Sequence, residues 1–372
     1  MNNYIPVNTP LLGGNEKKYI NECIDTGWVS SEGPFVEKFE EELSSRVGQE
    51  YGVSVSNGTA ALEIAVEALG IGSGDEVILP SHTIISCAQA ITKSGATPVL
   101  VDSQMDTWNM DLSQIKSKIT SKTKAIMIVH LYSFPVDVSP IVEMARKHNL
   151  FIIEDAAQML GQTYKGLPCG SFGDISTFSF YPNKQITTGE GGMCVTSNVE
   201  LYQKCRELRN LCFQEGGKRF HHNRIGWNYR MTNMQAALGV AQLERLDHHV
   251  IRKKEIGNMY YDLLSKNNNF TLMKPKCSHS DNIYWVVGVM LTKLSKHKAK
   301  YYIDQLSKVG IGSRPFFYPM HLQCVFKEQG MFKGEVYPVA EHMYDYGFYI
   351  PSGLGISNEQ VKSVSRELLK LF

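Results

Sequence analysis

"KAIMIVHLYSFPVDVSPIVEMARKHNLFIIED" (residues 124–155) contains two apolar runs separated by a segment with helical spacing. The runs at 124–132 and 150–155 are typical of buried strands, and the segment between them predicts a helix. The same alternation of strand and helix patterns extends from about residue 50 to residue 240. It predicts an α/β fold in which helices cover both faces of a mainly parallel sheet.

The pattern changes near residue 245. A segment with the composition of one long helix follows, and shorter strand and helix patterns fill the rest of the chain. We therefore predict a large domain over residues 1–245, which includes the N-terminal segment, and a smaller α+β domain over residues 246–372.

Composition excludes several classes of protein. The 372 residues carry a formal net charge of +1, which argues against a general nucleic-acid binder. No apolar run reaches the roughly 20 residues of a membrane span, and the N-terminus lacks a signal-peptide pattern. The eight cysteines are scattered without a C-x-x-C pair, so we expect reduced thiols and no metal site. These features predict a cytoplasmic enzyme.

Three short motifs are candidates for chemistry, and each has a structural alternative. "SNGT" (56–59) lies between a predicted strand and a predicted helix, where it is either an N-cap or an anion site. Asp155 ends a strand, so it is either a cap for the next helix or a ligand-binding carboxylate. Lys184 follows another strand and is either a solvated charge or a nucleophilic amine.

The combination of the three motifs favours the functional alternatives. Pyridoxal phosphate requires an anion cradle for its phosphate, a carboxylate beside its pyridine nitrogen and a lysine for its aldehyde. A helix start, a strand-end aspartate and a later lysine occur here in one chain. We therefore interpret the chain as a pyridoxal-phosphate enzyme.

The chain resembles the nucleotide-sugar aminotransferases, also called the DegT family, within the fold type I pyridoxal-phosphate enzymes. That resemblance implies a large domain built on a mainly parallel sheet of the seven-stranded type. Within that family, the sequence motifs are most similar to those of the perosamine synthases. The resemblance is carried by "TGWVSSEGPFVEKFE" (26–40), "SNGTAALEIA" (56–65), "IIEDAAQ" (152–158), "GSFGDISTFSFYPNKQITTGEGGM" (170–193), "NYRMTNMQAALGVAQLE" (228–244) and "SRPFFYPMH" (313–321).

The resemblance implies roles for particular residues. Lys184 corresponds to the catalytic lysine that binds the cofactor aldehyde, and Asp155 corresponds to the partner of the pyridine nitrogen. Gln158 corresponds to the residue that hydrogen-bonds the cofactor's 3-hydroxyl. The phosphate ligands correspond to Gly58, Thr59 and Ser179, with Asn228 reaching in from a second subunit. This arrangement implies a homodimer with shared active sites.

The residues expected to meet the substrate are less clearly marked. His321 in "YPMH" resembles a residue near the sugar, and we expect it to donate a hydrogen bond there. Arg314 and Arg230 are candidates for the diphosphate or for the carboxylate of glutamate, and each is equally well explained by a structural ion pair. The resemblance implies amination of GDP-4-keto-6-deoxymannose by L-glutamate, giving GDP-perosamine.

Two departures from the family pattern stand out. An aromatic residue commonly stacks on the cofactor ring, but Ile84 stands at that place, with His82 two residues away. We expect the ring to rest on one of these two side chains. Ser133 stands where a glycine commonly follows Tyr132.

Other functions remain open at this stage. An aminotransferase for a UDP- or dTDP-linked keto-sugar is the nearest alternative. A sugar 3-dehydratase of the same family has a histidine in place of the lysine, which Lys184 argues against. A catalytically silent cofactor-binding protein would have no need for Lys184, Asp155 and Gln158 together.

Overall fold

The computed structural model describes residues 4–214 and 216–372 of the chain. The strands, in chain order, are β1 (Tyr51–Val55), β2 (Glu76–Pro80), β3 (Thr97–Val101), β4 (Thr123–Val129), β5 (Phe151–Asp155), β6 (Thr163–Tyr164), β7 (Leu167–Pro168), β8 (Ile175–Ser179), β9 (Gly192–Thr196), β10 (Phe270–Leu272), β11 (Val287–Leu291), β12 (Arg314–Pro315) and β13 (Gly347–Ile350).

Helices connect most of these strands. They are α1 (Glu16–Thr26), α2 (Pro34–Arg46), α3 (Gly58–Ala68), α4 (Ile85–Lys93), α5 (Leu112–Lys118), α6 (Val138–His148), α7 (Val199–Arg209), α8 (Asn233–Leu243), α9 (Leu246–Leu264), α10 (Ala299–Lys308), α11 (Cys324–Glu328), α12 (Pro338–Tyr346) and α13 (Asn358–Leu369). Within the described ranges, no helix is both long and apolar enough to cross a bilayer.

The larger sheet has seven strands in the order β1-β9-β8-β5-β4-β2-β3. Strands β8, β5, β4, β2 and β3 pair in parallel, whereas β9 is antiparallel to both of its neighbours. The prediction of a mainly parallel sheet of the seven-stranded type is therefore confirmed.

The unit β4-α6-β5 shows why the sequence folds in this way. Along β4, Ile126 and Ile128 pack into one buried cluster, while Met127 and Val129 pack into another. Alternate side chains of a strand point to opposite faces, so apolar residues at successive positions require cover on both faces. The continuous apolar run of the sequence therefore becomes a strand buried between two layers.

One edge of the sheet gathers the predicted site. Because β9 is antiparallel to both β1 and β8, the carboxyl ends of β1, β8, β5 and β2 lie on the same edge. Ligands bind at that edge in open α/β sheets. The segments that leave it carry Gly58, Ile84, Asp155 and Ser179, and the β8–β9 loop carries Lys184.

The second sheet lies in the C-terminal part of the chain, with the order β10-β11-β13-β12 and antiparallel pairing throughout. Helix α9 leads into it, and the division at residue 245 stays a prediction. A contact also joins the N-terminal segment to this second sheet, although the sequence assigned that segment to the large domain. Ile5, near the N-terminus, bridges Ile311 and is buried in the core of this second sheet.

Candidate active site

The start of α3 offers unpaired backbone donors. Asn57 caps the helix by accepting a hydrogen bond from the backbone N–H of Ala60 at 2.8 Å. Among the described residues, the N–H groups of Gly58 and Thr59 have no hydrogen-bond acceptor. Free N–H groups at a helix start, together with the helix dipole, favour an anion.

Hydroxyl groups surround these donors. The Thr59 hydroxyl lies 2.8 Å from that of Ser86. A Cβ atom added to Gly58 would lie 2.8 Å from Cβ of Ser179, so only glycine lets the helix start approach the end of β8 this closely. Backbone donors and the hydroxyls of Thr59, Ser86 and Ser179 thus form a cradle that fits a phosphate, and the roles of Gly58, Thr59 and Ser179 as phosphate ligands stay predictions.

Asp155 is the buried carboxylate of the site. Its Oδ1 accepts from the Ala157 N–H at 3.0 Å, and its Oδ2 accepts from the Cys87 thiol at 3.3 Å. Burial raises the pKa of Asp155, while these two hydrogen bonds and the charge of Lys184 oppose the rise. A buried carboxylate of this kind is stabilised by a neighbouring cation, such as a protonated ring nitrogen.

Glu154, the residue before Asp155, has a structural part. Its fully buried carboxylate accepts hydrogen bonds from the His130 ring at 3.0 Å and from the Ser176 hydroxyl at 2.9 Å. Backbone N–H groups of the 170–173 loop donate to it as well. These bonds lower the pKa of Glu154 against the effect of burial. Glu154 therefore fastens β5 to its surroundings and leaves Asp155 to face the site.

His130, Glu154 and Cys169 also lie within 4.8 Å of one another and resemble a metal site. Nδ1 of His130 accepts from the Val136 N–H at 3.0 Å, so Nε2 carries the proton that it donates to Glu154. A protonated ring nitrogen has no lone pair for a metal. The cluster is therefore a hydrogen-bond network, and the expectation of no metal stays a prediction.

Lys184 lies on the turn after β8, where its own backbone N–H donates to the carbonyl of Tyr181 at 2.9 Å. Its amine lies 4.2 Å from the centroid of the Trp285 ring. No carboxylate within the described residues forms an ion pair with it. Burial lowers the pKa of Lys184 to about 8, although the charge of Asp155 opposes the change. About a tenth of the amine is therefore neutral at pH 7, far more than for a lysine with the ordinary pKa of about 10.4, and the neutral form is the nucleophile.

Gln158 is oriented by the backbone of the β4–α6 connection. Its amide oxygen accepts from the Tyr132 N–H at 2.6 Å, so its NH₂ group remains as the donor for an oxygen such as the cofactor's 3-hydroxyl. Tyr132 has a positive φ of 57°, which is unusual for a bulky residue and frequent at functional sites. Tyr132 adopts the left-handed backbone conformation and Ser133 does not, so position 133 does not require a glycine.

Of the two side chains expected to cover the cofactor ring, Ile84 is exposed and His82 is buried. Ile84 precedes α4 and is 39% exposed at the rim of the site. His82 is fully buried beside Tyr132, Phe316 and Phe317, and burial lowers its pKa to about 3. Ile84 is therefore the side chain available to the ring.

His321 corrects an expectation of the sequence. The ring is buried, with Nδ1 2.9 Å from the Ser81 hydroxyl and Nε2 3.0 Å from the Glu341 carboxylate. Both nitrogens are used within the protein, so neither is free to bond a sugar hydroxyl. The expected direct contact is wrong for this arrangement, and His321 instead ties the 319–323 turn to the end of β2.

The two candidate arginines, Arg314 and Arg230, form no ion pair within the part of the chain that the structure describes. Neither Arg314 nor Arg230 lies within ion-pair distance of a carboxylate in residues 4–214 and 216–372. Arg314 is exposed and donates to the Ser313 carbonyl, while Arg230 donates to the Asn228 side chain at 3.1 Å. The structural alternative is therefore unsupported for both, and their roles toward an anion stay predictions.

Asn228 is exposed beside the start of α3. The neighbouring Tyr229 carbonyl accepts from the Ser56 N–H at 2.7 Å, and Arg230 bridges Val55. This segment therefore reaches the edge of the sheet that carries the phosphate cradle. The expectation that Asn228 reaches the phosphate site of a second subunit stays a prediction.

Sequence reasoning missed four residues of the site. Ser86 and Cys87 were readable in "HTIISC", since they begin the helix that follows β2. Tyr132 and Trp285 gave no local signal, because their roles depend on a backbone conformation and on a contact between residues 101 positions apart.

Comparison with known proteins gives the same picture. Residues 10–369 match the DegT/DnrJ/EryC1/StrS aminotransferase family. The chain is 46% identical over 363 residues to GDP-perosamine synthase of Escherichia coli O157:H7, covering 96% of each chain. It is 41% identical to GDP-perosamine synthase of Caulobacter vibrioides, covering 97% of this chain and 96% of that one.

A solved structure shares the fold. The candidate sugar aminotransferase Spr1654 of Streptococcus pneumoniae, in its PLP-form, superposes with a TM-score of 0.90 at 27% identity. The match covers 99% of this chain and 100% of that one.

The displaced pKa of Lys184 generates a prediction for the cofactor-free protein. Competitive labelling with trace acetic anhydride, read by mass spectrometry, should give a midpoint at about pH 8 for Lys184. Asp155→Asn should move the midpoint to lower pH, because it removes the negative charge that stabilises the ammonium form.

The matched control is Glu190→Gln, which removes an exposed carboxylate from the same loop and should leave the midpoint unchanged. A wild-type midpoint near the ordinary lysine value of about 10.4 would contradict this account of the site.

Proposed function

The chain belongs to the DegT/DnrJ/EryC1/StrS aminotransferase family, and we propose that it transfers an amino group from L-glutamate to C4 of GDP-4-keto-6-deoxymannose. The product is GDP-perosamine. The observation that carries the proposal is the 46% identity to a GDP-perosamine synthase, in a chain that brings Lys184, buried Asp155 and the unpaired N–H groups of Gly58 and Thr59 to one edge of the sheet.

The enzyme is a pyridoxal-phosphate-dependent transferase, and the residues at the sheet edge fit that cofactor. Gly58, Thr59 and Ser179 would hold the phosphate through the unpaired N–H groups and the nearby hydroxyls. Asp155 would accept from the protonated pyridine nitrogen, and the free NH₂ group of Gln158 would donate to the 3-oxygen. Ile84 would cover the face of the ring with apolar contact but without aromatic stacking.

Pyridoxal phosphate supplies an electrophilic carbonyl and an electron-accepting ring. The protein supplies proton transfer through Lys184. In the first half of the reaction, its amine takes the proton from Cα of glutamate, and in the second half it delivers a proton to C4 of the sugar. A lysine with a pKa of about 8 is suited to both directions near neutral pH.

The charged groups of the two substrates need cationic partners. Arg314 and Arg230 are the arginines that we assign to the diphosphate or to the glutamate carboxylate, since neither has a carboxylate partner in the described residues. Bidentate hydrogen bonds from an arginine match both kinds of anion. His321 has no direct part in this scheme.

We also propose a homodimer in which Asn228 completes the phosphate cradle of the partner subunit. The segment that leads to Asn228 exposes 75% of Phe220 and 94% of Ile225, which is unfavourable for a surface that stays in water. A second copy of the chain would cover these side chains.

We place the reaction in the cytoplasm, because all eight cysteines are free thiols.

The substrate assignment predicts the order of preference among nucleotide sugars. With glutamate as donor, kcat/KM for GDP-4-keto-6-deoxymannose should exceed that for UDP- and dTDP-linked 4-keto sugars and for 3-keto sugars by at least about tenfold. Lys184→Ala is the control and should show no turnover with any of them. Preference for a 3-keto sugar would overturn the assignment of C4, while preference for a UDP- or dTDP-linked 4-keto sugar would overturn only the base.

Shared active sites predict recovery of activity when two inactive variants are mixed. In a heterodimer of Lys184→Ala and Asn228→Ala, one site carries both changes and the other carries neither. Equal amounts with random exchange should therefore restore about a quarter of the wild-type activity.

The control for the mixing experiment is Lys184→Ala with Asp155→Asn, since both residues belong to the same subunit's site and no intact site can form. Absence of recovery in the first mixture, with subunit exchange demonstrated by mass spectrometry, would refute the shared site.

A further inference from the structure

Lys253 on α9 is a buried lysine without a carboxylate partner. The residue is 2% exposed, and no ion pair involves it among the residues that the structure describes. Its ammonium group donates to two backbone carbonyls, that of Trp285 at 2.8 Å and that of Ser352 at 2.6 Å. Burial lowers the pKa of Lys253 to about 7. Burying such a group is unfavourable unless hydrogen bonds within the protein replace those that the group loses to water.

The first carbonyl leads directly to the active-site lysine. Trp285 donates from its ring Nε1 to the carbonyl of Asn183 at 2.9 Å. Its ring centroid lies 4.2 Å from the amine of Lys184. One side chain therefore contacts both the backbone of the 182–184 turn and the end of the reactive side chain.

The second carbonyl leads to the same turn by another route. The backbone N–H of Ser352 donates to the carbonyl of Val7 at 3.1 Å. The next residue, Asn8, donates from its side chain to the carbonyl of Pro182 at 2.7 Å. Two segments that are remote in sequence thus end on neighbouring residues of one turn, and Lys253 holds both.

We propose that Lys253 is a positioning residue that fixes the 182–184 turn, and with it Lys184, through the carbonyls of Trp285 and Ser352. This inference rests on the proposed role of Lys184 as the catalytic lysine. An amine that must serve two substrates in turn needs a fixed backbone, because small displacements of a reacting group reduce rates strongly. A purely structural role for Lys253 would stabilise the second sheet without affecting this turn.

The decisive variant is Lys253→Met, which keeps an unbranched side chain of nearly the same length but removes the donors. In cofactor-free protein, hydrogen exchange in the 183–186 segment, where the Lys184 amide donates to the Tyr181 carbonyl, should become roughly three- to tenfold faster, the change expected when local opening becomes easier by about the net contribution of one hydrogen bond. This readout is independent of substrate identity, so it stands even if the proposed sugar is wrong. Unchanged exchange in this turn would overturn the proposal.

The matched control is Leu264→Ala on the same helix, which removes a fully buried side chain from the core of the second sheet. It should lower stability without changing exchange in the turn. In the loaded enzyme, Lys253→Met should lower kcat by roughly 10- to 100-fold, with KM for the nucleotide sugar changed less than about twofold. A similar loss of kcat in the control would assign the effect to stability and overturn the proposal.

Two further variants test the two routes and remain informative if Lys253→Met fails to fold. Trp285→Phe removes the donor to Asn183 but keeps an aromatic ring, and Asn8→Ala removes the donor to Pro182. Each should accelerate exchange in the 183–186 segment. If neither does so, the two contacts do not hold the turn, and the proposal is wrong.

Discussion

The rest of this structure depends on a buried carboxylate and a half-buried amine that lie at one edge of the sheet and form no ion pair with each other. Burial raises the pKa of Asp155 and lowers the pKa of Lys184, so each group is less charged than it would be in water. Their mutual attraction opposes both changes but does not remove them. These properties are the ones that the proposed roles require, with Asp155 as partner of a cationic ring nitrogen and Lys184 as a base.

The surrounding structure keeps this pair in place. The Glu154 carboxylate accepts hydrogen bonds from His130, Ser176 and the 170–173 loop, and these bonds fix the end of β5. The result is that two adjacent acidic residues have separate tasks. Successive side chains of a strand point to opposite faces of the sheet, so Glu154 can face a structural network while Asp155 faces the site.

Much of the fold could be predicted from the sequence, because buried parallel strands leave long apolar runs such as 124–129. The positions of Asp155, Ser179 and Gly58 followed from the rule that ligands bind at strand ends. Contacts between distant segments could not be predicted. His321 is paired on both nitrogens, and the effect of Ser133 depends on a dihedral angle of Tyr132. Neither property has a local sequence signal.

The function proposed for this chain requires that Lys184 carry the cofactor. The most direct test is to load the protein with pyridoxal phosphate, reduce it with borohydride, digest it and locate the added mass by peptide mapping. We expect one phosphopyridoxyl group per chain on Lys184, and loss of that modification in Lys184→Ala. Stoichiometric modification of a different lysine, with Lys184 unmodified, would contradict it.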